Sequence, residues 1–292
     1  MEAEKANHSI RMLCTVMGVA KSSYYAWRNH TPSARDLRDV ELTRVITEVH
    51  EASYGTYGVP RVHAELRAEH GIRIAHKRVW RLMRAAGLQG VHRRRSGRSE
   101  AATSALTARK ERVFDDLVQR DFSADAPDRL WLADITQHPT GDGWLFLACV
   151  LDVCSKRIVG WSMGERADTN LVVNAVQMAV TARNPSVGLV HHSDQGTQYT
   201  SLAFGRELHD LGLVGSMGRT GTAHDNAAME SFFASLQTEL LDRHVWPTRD
   251  ALRSAIFHYI EIFYNRRRRH SSLGQISPNE FEIQYARREV AA

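Results

Sequence analysis

The sequence predicts an α/β protein in which a mixed five-stranded sheet with flanking helices follows a small all-α region. Residues 113–292 run through three successive strand-like segments and then alternate strand with helix, the pattern of a sheet covered by helices. Residues 1–112 carry only short apolar periodicities of helical spacing. Charge divides at the same place. Residues 1–112 hold 21 Lys and Arg against 11 Asp and Glu, and 113–292 hold 17 against 22, which together are the 38 and 33 of the whole 292-residue chain.

In the front half, Gly18 separates two short patterned stretches between Ile10 and Trp27, a weak helix-turn-helix pattern. Leu42, Val45, Ile46 and Val49 fall at i, i+3, i+4 and i+7, which predicts an amphipathic helix. The turn-rich Tyr54-Gly55-Thr56-Tyr57-Gly58 leads to a helix over 61–69. Another runs through Val79, Leu82, Met83 and Ala86, and Gly87 stops it. Arg61, Arg67, Lys77, Arg78, Arg81 and Arg84 occupy the other faces. They fit a helix pair presenting cations to nucleic acid, where counterion release drives binding, or an ordinary solvated face. His92-Arg93-Arg94-Arg95-Ser96-Gly97-Arg98 and the Ser/Thr/Ala-rich stretch to Ala108 read as a basic linker suited to following a phosphate backbone.

In the back half, strands are predicted over 130–136, 144–152 and 157–162, with Cys154-Ser155-Lys156 turning the chain between the last two. Residues 168–183 suit a helix whose stripe is Leu171, Val172, Ala175, Val176 and Ala179. Further strands are predicted over 187–191 and 213–216, then a helix of about twenty residues from near His224. The expected division is a helical basic region over 1–91, the linker over 92–112, a core over 113–245, and a C-terminal helix with a basic tail over 246–292. Trp131, Trp144 and Trp161 are expected in the core. No apolar run reaches the ~18 residues of a membrane span. Met1 to Ile10 is polar and lacks the apolar stretch of a signal peptide, so a cytoplasmic protein is expected. The three cysteines, Cys14, Cys149 and Cys154, form no CxxC and are expected to be small buried residues in a reducing compartment.

Three carboxylates are hard to explain by folding alone. Asp134 interrupts the apolar strand Trp131-Leu132-Ala133-Asp134-Ile135-Thr136, where a charge is costly unless paired or bound to metal. Asp194 follows a strand's C-terminal end, the edge where open α/β sheets bind ligands. Glu230 lies on the last core helix, beside the stripe Met229, Phe232, Phe233, Leu236 and Leu240, with Asn226 and Gln237 on the same side. His191 and His192 suit packing or hydrogen bonding better than metal ligation. Asp152 suits a turn. Asp225 and Glu239 are alternative third carboxylates, and Arg266 to Arg269 either bind phosphate or form a solvated run.

Between Asp134 and Asp194 lie 59 residues, and between Asp194 and Glu230 lie 35. With the words His192-Ser193-Asp194-Gln195-Gly196-Thr197-Gln198-Tyr199, Asp225-Asn226-Ala227-Ala228-Met229-Glu230-Ser231-Phe232-Phe233 and Tyr264-Asn265-Arg266-Arg267-Arg268-Arg269-His270-Ser271-Ser272-Leu273-Gly274, this resembles the D, D-35-E arrangement of retroviral integrases and bacterial insertion-sequence transposases. Tyr54-Gly55 through Arg61-Val62 and His76-Lys77-Arg78-Val79 resemble the helical DNA-binding region of the same transposases, so the likeness covers nearly the whole chain.

The resemblance implies a ribonuclease H-like fold and a DDE-type polynucleotidyl transferase. Asp134 would bridge two Mg²⁺ ions, for which Mn²⁺ can substitute, and Asp194 and Glu230 would each complete one site. The implied reaction is cleavage at the element's ends and transfer of the 3′-hydroxyl into DNA. The implied partners are the terminal inverted repeats, target DNA, further copies of the chain, and the helix-turn-helix product of an upstream reading frame. DNA contacts are expected at Arg61, Lys77, Arg78, Arg81, Arg93, Arg94, Arg95, Asn226, Gln237, Arg267 and Arg268. Two departures stand out. The family places Lys or Arg where this chain has Gln237. Nothing matches the His/Cys zinc module of retroviral integrases, so no structural zinc is expected. A ribonuclease H-like nuclease that cuts without joining, and an inactive DNA-binding repressor, are the alternative functions.

Overall fold

The computed structural model describes residues 3, 6–29, 32–92, 114–119, 121–218 and 227–291. Five helices precede the sheet: α1 (Ile10–Val16), α2 (Lys21–Arg28), α3 (Ala34–Ala52), α4 (Val59–Ala68) and α5 (His76–Ala85). α3 starts at a capping box, in which the Ser33 hydroxyl accepts the Asp36 N–H while the Asp36 carboxylate accepts the Ser33 N–H. Its apolar stripe Leu42, Val45, Ile46 and Val49 is buried against Val62 and Leu66 of α4 and Val79, Leu82 and Met83 of α5.

The sheet comprises β1 (Leu130–Thr140), β2 (Gly143–Asp152), β3 (Ile158–Gly164), β4 (Val190–Ser193) and β5 (Val214–Met217), in the order β3-β2-β1-β4-β5. β1, β2 and β3 pair antiparallel, and β4 and β5 are added parallel to β1, so the sheet is mixed as predicted. Asp152 ends β2 by accepting the N–H groups of Asp128 and Ser155, which shapes the turn into β3.

Alternation along β1 and β2 separates two faces. Trp131, Ala133, Ala148 and Val150 pack on α6 (Thr169–Arg183) and α7 (Leu202–Asp210). The approach of α6 to β3 requires Gly160, where a Cβ would stand 2.2 Å from the Ala175 carbonyl oxygen. Leu130, Leu132, Leu145, Leu147 and Cys149 face the other way, onto α8 (Ala227–Glu239), α9 (Arg249–Phe257) and the π-helical segment His258–Tyr264. The wider π turn brings Tyr259, Ile260, Phe263 and Tyr264 all inward. α10 (Pro278–Ala291) closes the chain. The α3–α5 stripe belongs to this second core cluster, so these three helices are packed into the core.

Several expectations are corrected. The fourth strand lies at 190–193 rather than 187–191, because Val187 is 90% exposed and pairing begins only after Gly188, at φ +95°. The predicted start of the last core helix near His224 lies outside the described residues; the helix runs over Ala227–Glu239 and ends at Glu239, short of the expected span, before a tight turn over Leu241–Arg243. Trp144 is 49% exposed, on the β1–β2 hairpin near Arg249, and is not core. Cys154 is only partly buried, whereas Cys14 and Cys149 are buried. Among the described residues no helix is long and apolar enough to cross a membrane.

Candidate active site

β1 and β4 run in parallel, and their last paired residues are Leu132 and His192. Two residues further along the chain in each case stand Asp134, within β1, and Asp194, just past the end of β4, so the register carries both carboxylates to one edge of the sheet. Asp134 lies opposite Cys149 on β2 and, by the two-residue period, shares the Leu132 face that α8 covers. Glu230 is in the first turn of α8, exposed, next to the buried Met229.

The electrostatics tie the three together. Burial pushes the Asp134 carboxyl up to about 7. The Ile135 N–H, donating to Oδ1 at 2.7 Å, opposes that rise, and the negative charges of Asp194 and Glu230 add to it. Asp194 is exposed, and its Oδ1 accepts the Gly196 N–H at 2.9 Å. A Cβ on Gly196 would stand 3.0 Å from that same oxygen, so glycine keeps the carboxylate accessible. The two aspartates open on a cleft of about 380 Å³ whose walls include Thr136, Gln137, Gln198 and Tyr199 and, among the described residues, no Lys or Arg. Two carboxylates thus line a polar hollow, and the charge of a third, Glu230 on α8, is felt at Asp134. Among the described residues no three His, Cys, Asp or Glu side chains are drawn tightly enough together to close on an ion as they stand.

The neighbouring candidates have other tasks. His192 meets the Ser216 hydroxyl at 2.9 Å. His191 is buried against Tyr199 and Phe204, with neither ring nitrogen hydrogen-bonded, and burial lowers it to about 4. Glu239, the alternative third carboxylate, is 6% exposed and ion-paired with Arg268. Asp225 and Asn226 lie outside the described residues, as do Arg93, Arg94 and Arg95.

The expected DNA-binding residues divide. Lys77 and Arg267 are exposed, the latter beside Arg266. Arg268 is not a DNA contact in this fold: it is 5% exposed and bidentate on Glu239. Arg61 also turns inward, to Glu239 at 3.3 Å and to the Arg269 carbonyl at 3.0 Å. Arg78 and Arg81 clasp Asp39 of α3 at 2.7 and 2.5 Å, and, with Arg81 contributing most, hold its carboxyl below the usual range. Arg269 is buried on Glu65 and Glu69. Gln237 bonds Asp242. Each of these arginines finds a carboxylate remote in sequence, which charge pattern alone does not reveal. Gln137, Gln198 and Thr136 were missed, since neutral polar residues carry no signal until the cleft is built. A larger cleft, about 810 Å³, lies between α3–α4 and the 263–284 segment, and its walls mix Glu48, Glu65, Glu69 and Glu280 with Arg266 and Arg267.

An HTH-like domain model matches residues 37–96, which take in most of α3 and all of α4 and α5 rather than the Ile10–Trp27 stretch. Two Integrase core domain models match 124–223 and 211–278. The "Insertion element IS600 uncharacterized 31 kDa protein" of Shigella sonnei is 40% identical over 94% of this chain and 98% of its own length. The chain belongs to the insertion-sequence transposases with an integrase core. "Transposase InsF for insertion sequence IS3A" of Escherichia coli is 37% identical, over 97% of this chain and 96% of its own. The transposase thus carries a DDE-type polynucleotidyl transferase core behind an HTH-like unit. Among solved structures, a simian T-cell lymphotropic virus intasome in complex with a PP2A regulatory subunit aligns at 13% identity and TM-score 0.46, over 81% of this chain and 74% of that one. The HTLV-2 integrase catalytic core domain in complex with magnesium aligns at 15% and 0.43, over 55% and 99%.

Proposed function

We propose that Asp134, Asp194 and Glu230 are the catalytic carboxylates of this transposase, and that they hold two divalent cations, Mg²⁺ or Mn²⁺, for cleavage at the element's ends and joining of the freed 3′-hydroxyl to target DNA. The observation that carries this reading is that the β1–β4 register brings Asp134 and Asp194 to one sheet edge, where the charge of Glu230 on α8 also reaches Asp134. Asp134 is partly buried, raised to about 7, and faces two further carboxylates. An oxygen-only donor set with uncompensated negative charge suits hard divalent ions. When bound, such ions neutralise the charge that develops on the attacking and leaving oxygens of an in-line displacement at phosphorus.

The chain's own residues supply the rest. The β1–β4 register fixes Asp134 against Asp194, and the Ile135 and Gly196 N–H groups orient one oxygen of each. Gln137, Gln198 and Thr136 offer neutral donors and acceptors along the cleft, suited to sugar and phosphate oxygens without closing on the carboxylates. Cations that meet the backbone of bound DNA are Lys77, Arg266 and Arg267, which are exposed, and Arg93 to Arg95 of the linker. Two ends must be held at once, so the working form is an oligomer, joined to the helix-turn-helix product of the upstream frame.

The test is substitution with retention of shape. Asp134→Asn, Asp194→Asn and Glu230→Gln each abolish cleavage and joining of element-end duplexes in Mg²⁺ while leaving DNA binding in place. Asp152→Asn, at a turn away from the cleft, retains joining wherever it folds. Strand transfer by any of the three variants refutes the assignment of that residue.

A further inference from the structure

Nine residues beyond Glu230, at the far end of α8, stands Glu239. At 3.6 residues per turn, nine positions are roughly two and a half turns, so the two side chains leave opposite sides of the helix. Glu230 is exposed at the cleft, whereas Glu239 enters the core. There it accepts Nε and Nη2 of Arg268, both at 2.7 Å, the Tyr259 hydroxyl at 2.9 Å and Nη1 of Arg61 at 3.3 Å. Arg268 also donates to the Ser235 hydroxyl at 3.1 Å, one turn back on α8. Arg61 donates through Nε to the Arg269 carbonyl at 3.0 Å, and Tyr57 of the same front unit donates to the Arg267 carbonyl at 3.1 Å. One carboxylate on the back of α8 is therefore held from α4, the π-helical segment and the 264–274 closing motif.

Apolar packing alone would not set the height of α8. Met229, Phe232 and Leu236 define the face it presents to the sheet, but a stripe of aliphatic and aromatic groups tolerates small slides and rotations. A bidentate guanidinium–carboxylate pair does not, because its two parallel bonds fix both distance and direction. Arg268 by itself neutralises Glu239. Arg61 is a second cation on the same carboxylate, with its proton affinity lowered by burial and by Arg268. Its place is explained by what it connects: the HTH-like unit to the helix bearing Glu230.

We propose that Arg61 and Glu239 are positioning residues, through which the seating of the α3–α5 unit fixes the register of α8 and brings Glu230 to Asp134 and Asp194. This rests on the reading of those three carboxylates as the metal site.

The test is Mn²⁺ binding to the full DNA-free chain, read by electron paramagnetic resonance of the free ion, for wild type, Arg61→Gln, Arg61→Lys and Asp134→Asn, with affinity for a nonspecific duplex measured on the same samples. Arg61→Gln leaves the Glu239–Arg268 pair intact and neutral. It is expected to weaken Mn²⁺ binding roughly tenfold, the low end for residues that orient a ligand from outside the coordination sphere, with duplex affinity unchanged. Arg61→Lys keeps a cation beside Glu239 but loses the bond to the Arg269 carbonyl, and is expected to fall between the two; it also serves as the readout if Arg61→Gln fails to fold. Unchanged Mn²⁺ binding in the folded variants, with a lower melting temperature, makes the network merely structural and overturns the proposal. Unchanged Mn²⁺ binding with weakened duplex affinity makes Arg61 a DNA contact and overturns it too. If Asp134→Asn does not weaken Mn²⁺ binding, the carboxylate reading itself fails, and the positioning proposal with it.

Discussion

Arg268 separates two views of the closing motif. As a phosphate contact, its loss would weaken DNA binding and leave stability alone. In this fold its side chain is 6% exposed and gives two bonds of 2.7 Å to Glu239 and one of 3.1 Å to Ser235. Arg268→Met therefore strands a buried carboxylate. Breaking one side of a buried pair costs about 3–5 kcal/mol. The remaining Tyr259 and Arg61 bonds to Glu239 place this case near about 3 kcal/mol. For a 292-residue chain, with an unfolding entropy of about 2.1 cal/mol/K per residue, that lowers the melting temperature by roughly 5 °C. Glu239→Leu with Arg268→Met removes both members of the pair and is expected to cost less than the two single changes summed, which a double-mutant cycle in urea detects as coupling. The assay pairs thermal and urea unfolding with duplex binding at fixed salt. An unfolding midpoint equal to wild type, together with reduced duplex affinity, would refute the internal role of Arg268.

Three further outcomes follow from the site and its surroundings. Mg²⁺ or Mn²⁺ is expected to support cleavage and Ca²⁺ to fail, since its larger, looser coordination does not hold an in-line geometry; equal turnover in Ca²⁺, or turnover in chelator, contradicts the metal reading. Mg²⁺ at about 100 times its dissociation constant is expected to add about 2.7 kcal/mol of stability, and Asp134→Asn to remove that increment; an increment that survives the substitution places the ion elsewhere. His191, lowered to about 4 and buried as the neutral ring, contributes stability that is complete above its unfolded value of about 6.5 and is lost as pH falls toward 4, up to about 3 kcal/mol. Neither ring nitrogen has a partner, so His191→Phe among Tyr199 and Phe204 is expected to flatten that acid loss. The contribution of Asp134 has the opposite sign, because an acid raised to about 7 favours the fold as pH falls, and it cancels between the two proteins. Equal pH slopes for wild type and variant would contradict the burial argument.

Local chemistry was legible before the fold. The stripes Leu42–Val49 and Leu171–Ala179, the turn at Asp152 and the strand segments of β1 and β2 are consequences of backbone geometry acting over a few residues. The same holds for Asp134, conspicuous because a charge stands in an apolar strand. The ends of β4 and α8 were misplaced, since each is set by contacts from elsewhere: the Gly188–Gly212 bond for one, and the hold on Glu239 and the tight turn after it for the other. Sequence also supplied the basic set Arg61, Arg78, Arg81, Arg267 and Arg268 without its allegiances. A guanidinium reads the same whether it meets a phosphate or a carboxylate 178 residues away, as Arg61 does at Glu239. Burial decided it: water must leave before such a pair forms, and only the packing of α4, the π-helical segment and the closing motif around α8 removes the water. What the sequence determined by itself is the course of the core strands and helices and the family to which the chain belongs. What tertiary structure decided is which charges face outward and which pair inside the fold, because that depends on distances no local pattern encodes.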